Sequence, residues 1–424
     1  MKKIFYICAL CLVALTVTLT SCNDYTGKYE MTDGLPVVYY VRPTDAALAD
    51  SLLTGAFMGS SICLVGDNLT SIQEIYFNDQ KATLNINFIT KNTLIVNVPQ
   101  TLPVDKTDQI KMITSQKDTI PYDFVTQIPN PVLSRIYCEN VPPGGTVTLL
   151  GDYFLDYPDA HISVKIGNYT VPYSDITHVE KTTLSFIAPP ADVKGYITVE
   201  TDFGTNNRHY RSLFRDGDSE IVQPITGFEP TENGGSGFVG GWGRPSAQQL
   251  QNDPAIALSG TYVRMEANVT AGAWSSAWQI NIWGSKNLDN PNTGLPDPLF
   301  PFKPAEAALK IDINVMTPWT ALPLIFCFTT ATDNEGYMWG DATHPRAFYA
   351  PWVDNAGSYV SNGWETVTIP LADFKYLGDG TVVDISEAYS SLGIALHNRG
   401  AAIYSGTADC TPVILLDNVR VVKM

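Results

Sequence analysis

The fold is decided by a pattern that the chain uses twice, as ICLVGDNLTSIQEIYFNDQKATLNINFITKNTLIVNVP at residues 62–99 and as VTLLGDYFLDYPDAHISVKIGNYTVPYSDITHVEKTTLSFIAP at residues 147–189. Each copy starts with an apolar run that ends in Gly-Asp, with the glycine at Gly66 and at Gly151. Each closes with Thr-Leu, alternating apolar residues and proline. The copies are offset by about 85 to 90 residues, the size of one immunoglobulin-like sandwich. The repeat therefore predicts two such sandwiches in tandem.

The rest of the chain is also patterned as β-structure. From residue 36 onward, apolar and polar residues alternate in short runs that are bounded by Gly, Pro, Asn and Asp. The predicted fold class is all-β, with immunoglobulin-like sandwiches over residues 36–128 and 129–216. A larger β-sandwich of jelly-roll type is predicted over residues 217–424. The polar stretch RDGDSEIVQP at residues 215–224 is interpreted as a hinge between the last two domains.

Two family resemblances follow from these motifs. The Gly-Asp and Thr-Leu signals resemble the IPT/TIG family of immunoglobulin-like modules over about residues 36–214. Neither repeat contains tryptophan, so a rigid spacer is the preferred role. GWETVTIPLADF at residues 363–374 and the Asp417-Asn418-Val419 ending resemble the C-terminal domain of surface glycan-binding proteins from polysaccharide-utilisation systems. In that family a lipid anchor, immunoglobulin-like domains and a terminal glycan-binding jelly roll follow in this order.

The N-terminus predicts export and anchoring. Two lysines precede an apolar run over residues 4–19, which is shorter than the roughly 20 residues of a spanning helix and is typical of a secretory signal, here residues 1–21. The run ends in Leu-Thr-Ser-Cys, which resembles a bacterial lipobox and predicts lipidation at Cys22. The alternative is an ordinary cleaved signal followed by a chance cysteine. Residues 22–35 would tether the domains to the membrane. The resemblance implies the outer membrane, with surface exposure.

Composition restricts the ligand. The formal net charge is −17, which disfavours nucleic acid and anionic polysaccharides and favours neutral ligands. Four cysteines lie beyond the signal and lipobox, with no metal-type spacing: Cys63, Cys138, Cys327 and Cys410. They are interpreted as buried thiols, with a disulfide between Cys327 and Cys410 as the alternative.

Tryptophan is confined to the third domain, where all eight indoles lie from Trp242 onward. An exposed indole stacks on the apolar face of a sugar when polar groups stand beside it, whereas a core indole needs neither condition. In WQINIW at residues 278–283, Trp278 shares one face of the strand with two isoleucines, which predicts a core position. Gln279, Asn281 and Trp283 share the other face and are predicted to bind glycan. In SLGIALHNRG, at residues 391–400, small and polar residues likewise alternate with apolar ones.

The remaining candidates lie in predicted loops. The loop at residues 334–359 collects aromatic residues among Gly and Pro, so Trp339 and Trp352 are predicted to be presented to ligand, with Arg346 contacting hydroxyls. Trp242 is flanked by glycines that allow close approach of a ligand. Trp319 lies at a strand end, where it would stack on sugar or close the mouth of the barrel. Trp364 is interpreted as structural, and Trp274 is left open.

No pattern in the sequence predicts catalysis. The paired carboxylates of a glycosidase are missing, and Asp312 stands alone in LKIDINV. No nucleophile elbow, zinc motif or phosphate loop is present. The predicted function is non-catalytic capture of a neutral β-glucan, mixed-linkage or xyloglucan-like. The resemblance implies a TonB-dependent transporter and companion surface proteins as partners. The alternative is an adhesin or structural surface protein that recognises host glycans or a protein.

A structural calcium ion is one interpretation of two further carboxylates. Glu229 and Asp417 lie near the predicted first and last strands of the third domain, where a hard cation held by oxygen ligands could tie the strands together. The alternative is a pair of unconnected surface carboxylates.

Overall fold

The structure is a computed structural model, which describes residues 29–232, 249–268, 276–283, 295–296, 298–329, 344–377, 380–383, 389–397 and 409–424. All regular elements in these ranges are β-strands or three-residue 3₁₀ helices, so the all-β prediction is confirmed. The 3₁₀ helices are Ala46–Leu48, Leu69–Ser71, Ile86–Phe88, Tyr173–Asp175, Tyr210–Ser212, Pro304–Glu306 and Leu371–Asp373. None of the helices in the described part has the length and apolar character needed to cross a membrane. The chain divides into two compact units between Pro129 and Asn130.

The first unit is a small sandwich. Its strands are β1 (Val37–Pro43), β2 (Gly55–Phe57), β3 (Ser61–Asp67), β4 (Ile72–Phe77), β5 (Gln80–Ala82), β6 (Thr93–Asn97), β7 (Gln109–Thr114), β8 (Thr119–Asp123) and β9 (Val125–Gln127). One sheet has the order β1-β3-β6 and the other β5-β4-β7-β8, while β2 and β9 form a parallel pair. The alternating apolar residues of both sheets meet in one core, which includes Leu64, Ile75 and Leu94.

The second unit begins with a sandwich that repeats this plan. Its strands are β10 (Val132–Ile136), β11 (Thr146–Asp152), β12 (Ser163–Ile166), β13 (Tyr169–Thr170), β14 (Ile176–Glu180), β15 (Thr183–Ile187), β16 (Gly195–Thr201), β17 (Gly204–Thr205) and β18 (Leu213–Phe214). One sheet has the order β10-β11-β15-β14, and the other has the order β13-β12-β16-β17, with β18 beside β16. Strands β11 and β15 pair as β3 and β6 do in the first sandwich.

The repeated glycine has a steric cause. A Cβ atom on Gly66 would lie 1.9 Å from the carbonyl oxygen of Val37, and a Cβ atom on Gly151 would lie 1.9 Å from that of Val132. In both sandwiches the register shifts next to the glycine, between Val38 and Tyr40 in the first and between Leu133 and Arg135 in the second. The close approach of the neighbouring strand at an irregularity therefore requires glycine at both positions.

The rest of the second unit is a larger two-sheet sandwich. Its strands are β19 (Val222–Thr226), β20 (Leu250–Gln251), β21 (Tyr262–Glu266), β22 (Ser276–Trp283), β23 (Ala307–Val315), β24 (Leu324–Thr329), β25 (Arg346–Tyr349), β26 (Glu365–Pro370), β27 (Ser391–His397) and β28 (Val413–Lys423). The first sheet has the order β20-β21-β28-β23-β26 with β19 beside β28, and the second has the order β22-β27-β24-β25. Large apolar residues from both sheets fill the space between them.

The predicted hinge at residues 215–224 is wrong. Arg215 donates hydrogen bonds to the carbonyl oxygens of Val141 (2.7 Å), Pro189 (3.1 Å) and Pro190 (2.5 Å). From residue 222 the chain is already strand β19, which pairs with β28. The segment is fixed on both sides, and the two sandwiches that it joins form one compact unit. Its polar composition reflects hydrogen bonding rather than freedom to bend.

Candidate functional site

The second sheet of the large sandwich has one face in the core. Ile280 and Ile282 of β22, Leu392 and Ile394 of β27, and Phe326 of β24 are all buried in the core between the sheets. Since successive residues of a strand point to opposite sides, the residues between them belong to the opposite face. We call that opposite side the outer face.

The strand register places the residues of the outer face in three rows. The first row runs Asn281, Gly393, Cys327, Arg346, from β22 across β27 and β24 to β25. Its neighbours are the row Gln279, Ala395, Ile325, Phe348 and the row Trp283, Ser391, Thr329. Three strand spacings separate the ends of the first row, which is about 14 Å. Two predicted site residues thus share a row and have glycine and cysteine between them.

Burial corrects two of these predictions. Asn281 is only 3% exposed and Arg346 only 2%, so neither is the solvent-exposed group that the sequence predicted. Arg346 does not lie in a loop: it is the first residue of β25, and its backbone N–H donates to the carbonyl oxygen of Tyr376 (2.9 Å). The centre of the face is apolar, since Ile325, Cys327 and Ala395 form a buried cluster against which Phe348 packs.

The prediction that Trp319 stacks on sugar is wrong. Its side chain is fully buried, and its indole Nε1–H donates to the carbonyl oxygens of Ala321 (3.0 Å) and Leu322 (2.7 Å). The ring meets Tyr349 edge-on, with 5.9 Å between ring centroids. The position of Trp319 at the end of a strand does not predict its burial, because the burial depends on the turn that follows, which folds back over the indole.

The other indoles fall into three groups. Trp364 is buried and donates to the carbonyl oxygen of Ile256 (2.7 Å), as a structural residue does. Trp352 is half-buried and packs against the core of the large sandwich, so its binding role stays a prediction. Four site predictions involve atoms outside the described residues, namely Trp242, Trp339 and the side chains of Gln279 and Trp283. Cys22, Trp274 and the side chain of Trp278, which was predicted to be in the core, also lie outside them.

The two predicted calcium ligands lie in one neighbourhood. Asp417 is buried and accepts a hydrogen bond from the backbone N–H of Asn418 (2.7 Å), while Glu229 accepts one from the backbone N–H of Thr261 (3.0 Å). Burial, with the charges of Asp312 and Glu229, raises the pKa of Asp417 to about 9. Asp417 is thus not a surface carboxylate. The described residues include no group of three or more metal-ligating side chains, so the calcium ion stays a prediction.

The four cysteines agree with the interpretation as buried thiols and not with a disulfide between Cys327 and Cys410. Cys63, Cys138, Cys327 and Cys410 are all buried thiols. Burial raises the pKa of Cys138 well above its usual range. These side chains therefore act as small buried apolar residues, with Cys327 in the apolar cluster of the outer face.

Sequence reasoning missed a polar cluster beside the large sandwich. Tyr349 and Tyr359 both donate hydrogen bonds to the buried carboxylate of Glu365, the first over 3.3 Å. Arg135 of the preceding sandwich has its guanidinium 4.0 Å from the same carboxylate. The alternation of WETVTIPL indicates a strand, but no local signal indicates that two tyrosines and a residue from another domain meet there.

Two immunoglobulin-like sandwiches followed by a larger two-sheet sandwich define a protein of several β-domains. A family model described as the surface glycan-binding protein B xyloglucan binding domain matches residues 218–423. The crystal structure of surface glycan-binding protein PbSGBP-B from Prevotella bryantii is 32% identical, with a TM-score of 0.73 over 92% of this chain and 99% of that one. This chain belongs to the surface glycan-binding protein B family.

Two further relatives are similar to the chain. SGBP-B from a complex xyloglucan utilization locus in Bacteroides uniformis is 19% identical, with a TM-score of 0.47 over 92% of this chain and all of that one. An IPT/TIG domain-containing protein of Bacteroides ovatus is 30% identical over 182 residues, or 40% of this chain. The match spans 37% of that relative's length. The resemblance to surface glycan-binding proteins with IPT/TIG domains is confirmed.

Proposed function

We propose that this protein captures a neutral β-glucan at the cell surface without cleaving it. Xyloglucan is the first candidate ligand, because the family model that matches residues 218–423 is described by that polysaccharide. Mixed-linkage glucan is the second. A surface with formal net charge −17 repels uronic polymers, which makes an uncharged backbone the better ligand.

The observation that carries this proposal is the match of residues 218–423 to the xyloglucan binding domain model, and the rows on the outer face are consistent with it. Asn281 and Arg346 stand at the two ends of a row whose middle positions are Gly393 and Cys327. Both side chains are buried, so we do not expect them to contact sugar directly, and the small residues between them keep the middle of the row low. Trp283 lies one row away on β22 and would supply the stacking ring.

The proposal that the glycan is not cleaved is supported by the position of Asp312, the carboxylate that the sequence offered as the nearest candidate. Asp312 is fully buried and accepts hydrogen bonds from Asn140 (2.7 Å), Thr366 (2.6 Å) and Asn418 (3.0 Å). A glycosidase needs two carboxyl groups that face the same sugar. Asp312 instead faces the neighbouring sandwich, so it has a structural role.

The cellular setting extends the proposal. The lipobox-like residues before Cys22 support a lipid anchor, and family membership supports display on the outer membrane. A TonB-dependent transporter and companion surface proteins would receive the captured polysaccharide. The immunoglobulin-like domains would hold the glycan-binding domain away from the membrane.

Affinity electrophoresis tests the ligand class directly. Migration of the chain from residue 23 onward is compared in gels that contain xyloglucan, mixed-linkage β-glucan, polygalacturonate or mucin. The proposal predicts retardation by one or both β-glucans and free migration with polygalacturonate. Retardation by mucin alone would indicate an adhesin and would contradict the proposal.

A further inference from the structure

A groove runs along the edge of the large sandwich, outside the proposed glycan face. It consists of two adjoining cavities of about 350 Å³ and 240 Å³. Both are lined by Tyr349 of β25 and by Val367 and Thr368 of β26, so one continues into the other. The groove follows β26 from residue 365 to residue 370, which is about 17 Å at the usual rise of a strand.

One end of the groove is aromatic. Phe348 and Tyr376 line it and form a tilted pair, with ring centroids 5.7 Å apart. Both rings are partly exposed. Lys375 and Asp373 line the same end and form an ion pair (3.7 Å). Flat rings beside groups that donate and accept hydrogen bonds are what a sugar ring requires.

The other end of the groove is polar and is built by two domains. Arg135 and Arg211 come from the second immunoglobulin-like sandwich, and Glu365 comes from the large sandwich. Arg211 is held by a hydrogen bond from its Nε–H to the hydroxyl of Tyr210 (2.9 Å), and the guanidinium of Arg135 lies 5.4 Å from the ring centroid of Tyr137. The carboxylate of Glu365 lies 4.0 Å from Arg135, so this end combines charged donors with a carboxylate, a combination that hydroxyl groups can bond.

The backbone of β26 supplies further polar groups. The N–H of Thr366 donates to the carbonyl oxygen of Tyr137 (2.8 Å), so it points away from β23. Thr368 lies two residues further and directs its N–H to the same side of the strand, which is the side of the groove. The edge of the sandwich thus presents the main-chain N–H of Thr368 to the groove, between its aromatic and its polar end.

We infer that this groove is a second binding site for the same neutral polysaccharide, and that the second immunoglobulin-like domain contributes directly to it through Arg135 and Arg211. Phe348 belongs both to the outer face and to the groove, which makes the two surfaces continuous. This inference rests on the proposed function. If it is correct, the second immunoglobulin-like domain is part of the binding surface and not only a spacer.

The test uses the whole mature chain and xyloglucan oligosaccharides of one and two repeats, titrated by calorimetry. The double variant Arg211→Ala/Tyr376→Ala should bind the longer oligosaccharide about tenfold more weakly, the loss expected for one stacked ring and its neighbours. Thr368→Trp, which fills the groove and leaves its arginines and aromatic rings in place, should weaken binding similarly. The matched control is Arg208→Ala/Tyr173→Ala, which removes an arginine and a tyrosine outside the groove and should bind like the wild type.

A photoreactive two-repeat oligosaccharide identifies the contacted residues. Cross-links to residues 365–376 and to Arg211 that persist in Trp283→Ala would support the groove. Cross-links confined to β22 and β27, with normal affinity in both groove variants, would overturn it while leaving the proposed function intact. If the wild type neither binds nor cross-links to any of these glucans, the groove and the proposed function fail together.

Discussion

Lys310 of the large sandwich donates a hydrogen bond to Glu139 of the second immunoglobulin-like sandwich over 2.5 Å, and neither side chain is more than 3% exposed. The other oxygen of Glu139 accepts from Arg420 (2.9 Å), whose Nε lies 2.9 Å from Asp216. Burial raises the pKa of Glu139 and lowers that of Lys310, since each charge has lost its water. Charges buried this deeply are tolerated only while their partners stay in place, so the network fixes the two sandwiches to one another.

The first prediction concerns this network. Glu139→Gln removes the charge that compensates Lys310 and Arg420, and it should lower the free energy of unfolding by about 3–5 kcal/mol, as breaking a buried ion pair does. Urea denaturation followed by circular dichroism measures the change. The matched control is Glu200→Gln, which breaks the exposed pair of Glu200 with Lys165 (2.9 Å) and should cost about 0–1 kcal/mol. Equal stabilities of Glu139→Gln and the control would contradict the account.

The second prediction concerns truncation. A fragment of residues 130–424 should fold cooperatively, because it contains the whole second compact unit. A fragment of residues 217–424 leaves Lys310 and Arg420 without Glu139, and it should melt at a lower temperature or aggregate. Differential scanning calorimetry of the two fragments measures their melting temperatures and tests this prediction. A shorter fragment that is as stable as the longer one would mean that the interface is dispensable.

The third prediction concerns Asp417. An unfolded aspartate loses its proton near pH 3.8, whereas the folded protein holds this one up to about pH 9. Raising the pH through this window therefore favours the unfolded chain, by at most about 1.4 kcal/mol per pH unit. Asp417→Asn cannot ionise and should remove this penalty. Its gain in melting temperature over the wild type should be larger at pH 8 than at pH 5.

The calcium interpretation predicts the opposite behaviour at the same residue. A bound cation would keep Asp417 ionised, so Asp417→Asn would destabilise the protein and a chelator would lower the melting temperature of the wild type. Melting curves of both proteins, with EDTA and with added Ca²⁺, separate the two cases. No effect of EDTA together with a gain in Asp417→Asn would exclude a calcium ion held by Glu229 and Asp417.

The fourth prediction concerns anchoring. Radiolabelled palmitate should be incorporated into the wild-type protein and not into Cys22→Ala when each is expressed in its native host. The reason is that only the cysteine after the lipobox-like residues offers a thiol for lipid transfer. Cys63→Ala is the matched control, since that thiol is buried in the first sandwich, and it should be labelled like the wild type. Equal labelling of all three would contradict lipidation at Cys22.

The sequence predicts features that are set by contacts between neighbouring strands, and it does not predict features that depend on contacts between distant parts of the chain. Strand alternation and the repeated Gly66 and Gly151 act between neighbouring strands, so local pattern was enough to predict the all-β fold and the tandem sandwiches. The strand positions of Gln279, Asn281 and Trp283 also followed from alternation. The burial of Trp319 did not, because a turn that covers an indole has no periodic signal.

Contacts between domains left no local signal. Glu139 stands in a short polar segment, and its partners are 171 and 281 residues away in the chain. The glycine and proline residues around Arg346 predict a loop, whereas its pairing with Cys327 is set by the register of β24 and β25. The predicted hinge at residues 215–224 is wrong for the same reason, because Arg215 donates hydrogen bonds to carbonyl groups of residues that are distant in the chain.

The central claim is that aromatic rings on the large sandwich bind a neutral β-glucan, and calorimetry of xyloglucan with three single variants tests it most directly. Trp283→Ala, Trp339→Ala and Trp352→Ala should each bind roughly tenfold more weakly, by analogy with the ~1–3 kcal/mol of a base stacked on an aromatic ring. Their circular dichroism should match the wild type. Trp319→Ala is the control for a core indole and should lose about 3–5 kcal/mol of stability. The account is contradicted if all three variants bind like the wild type, or if all three unfold.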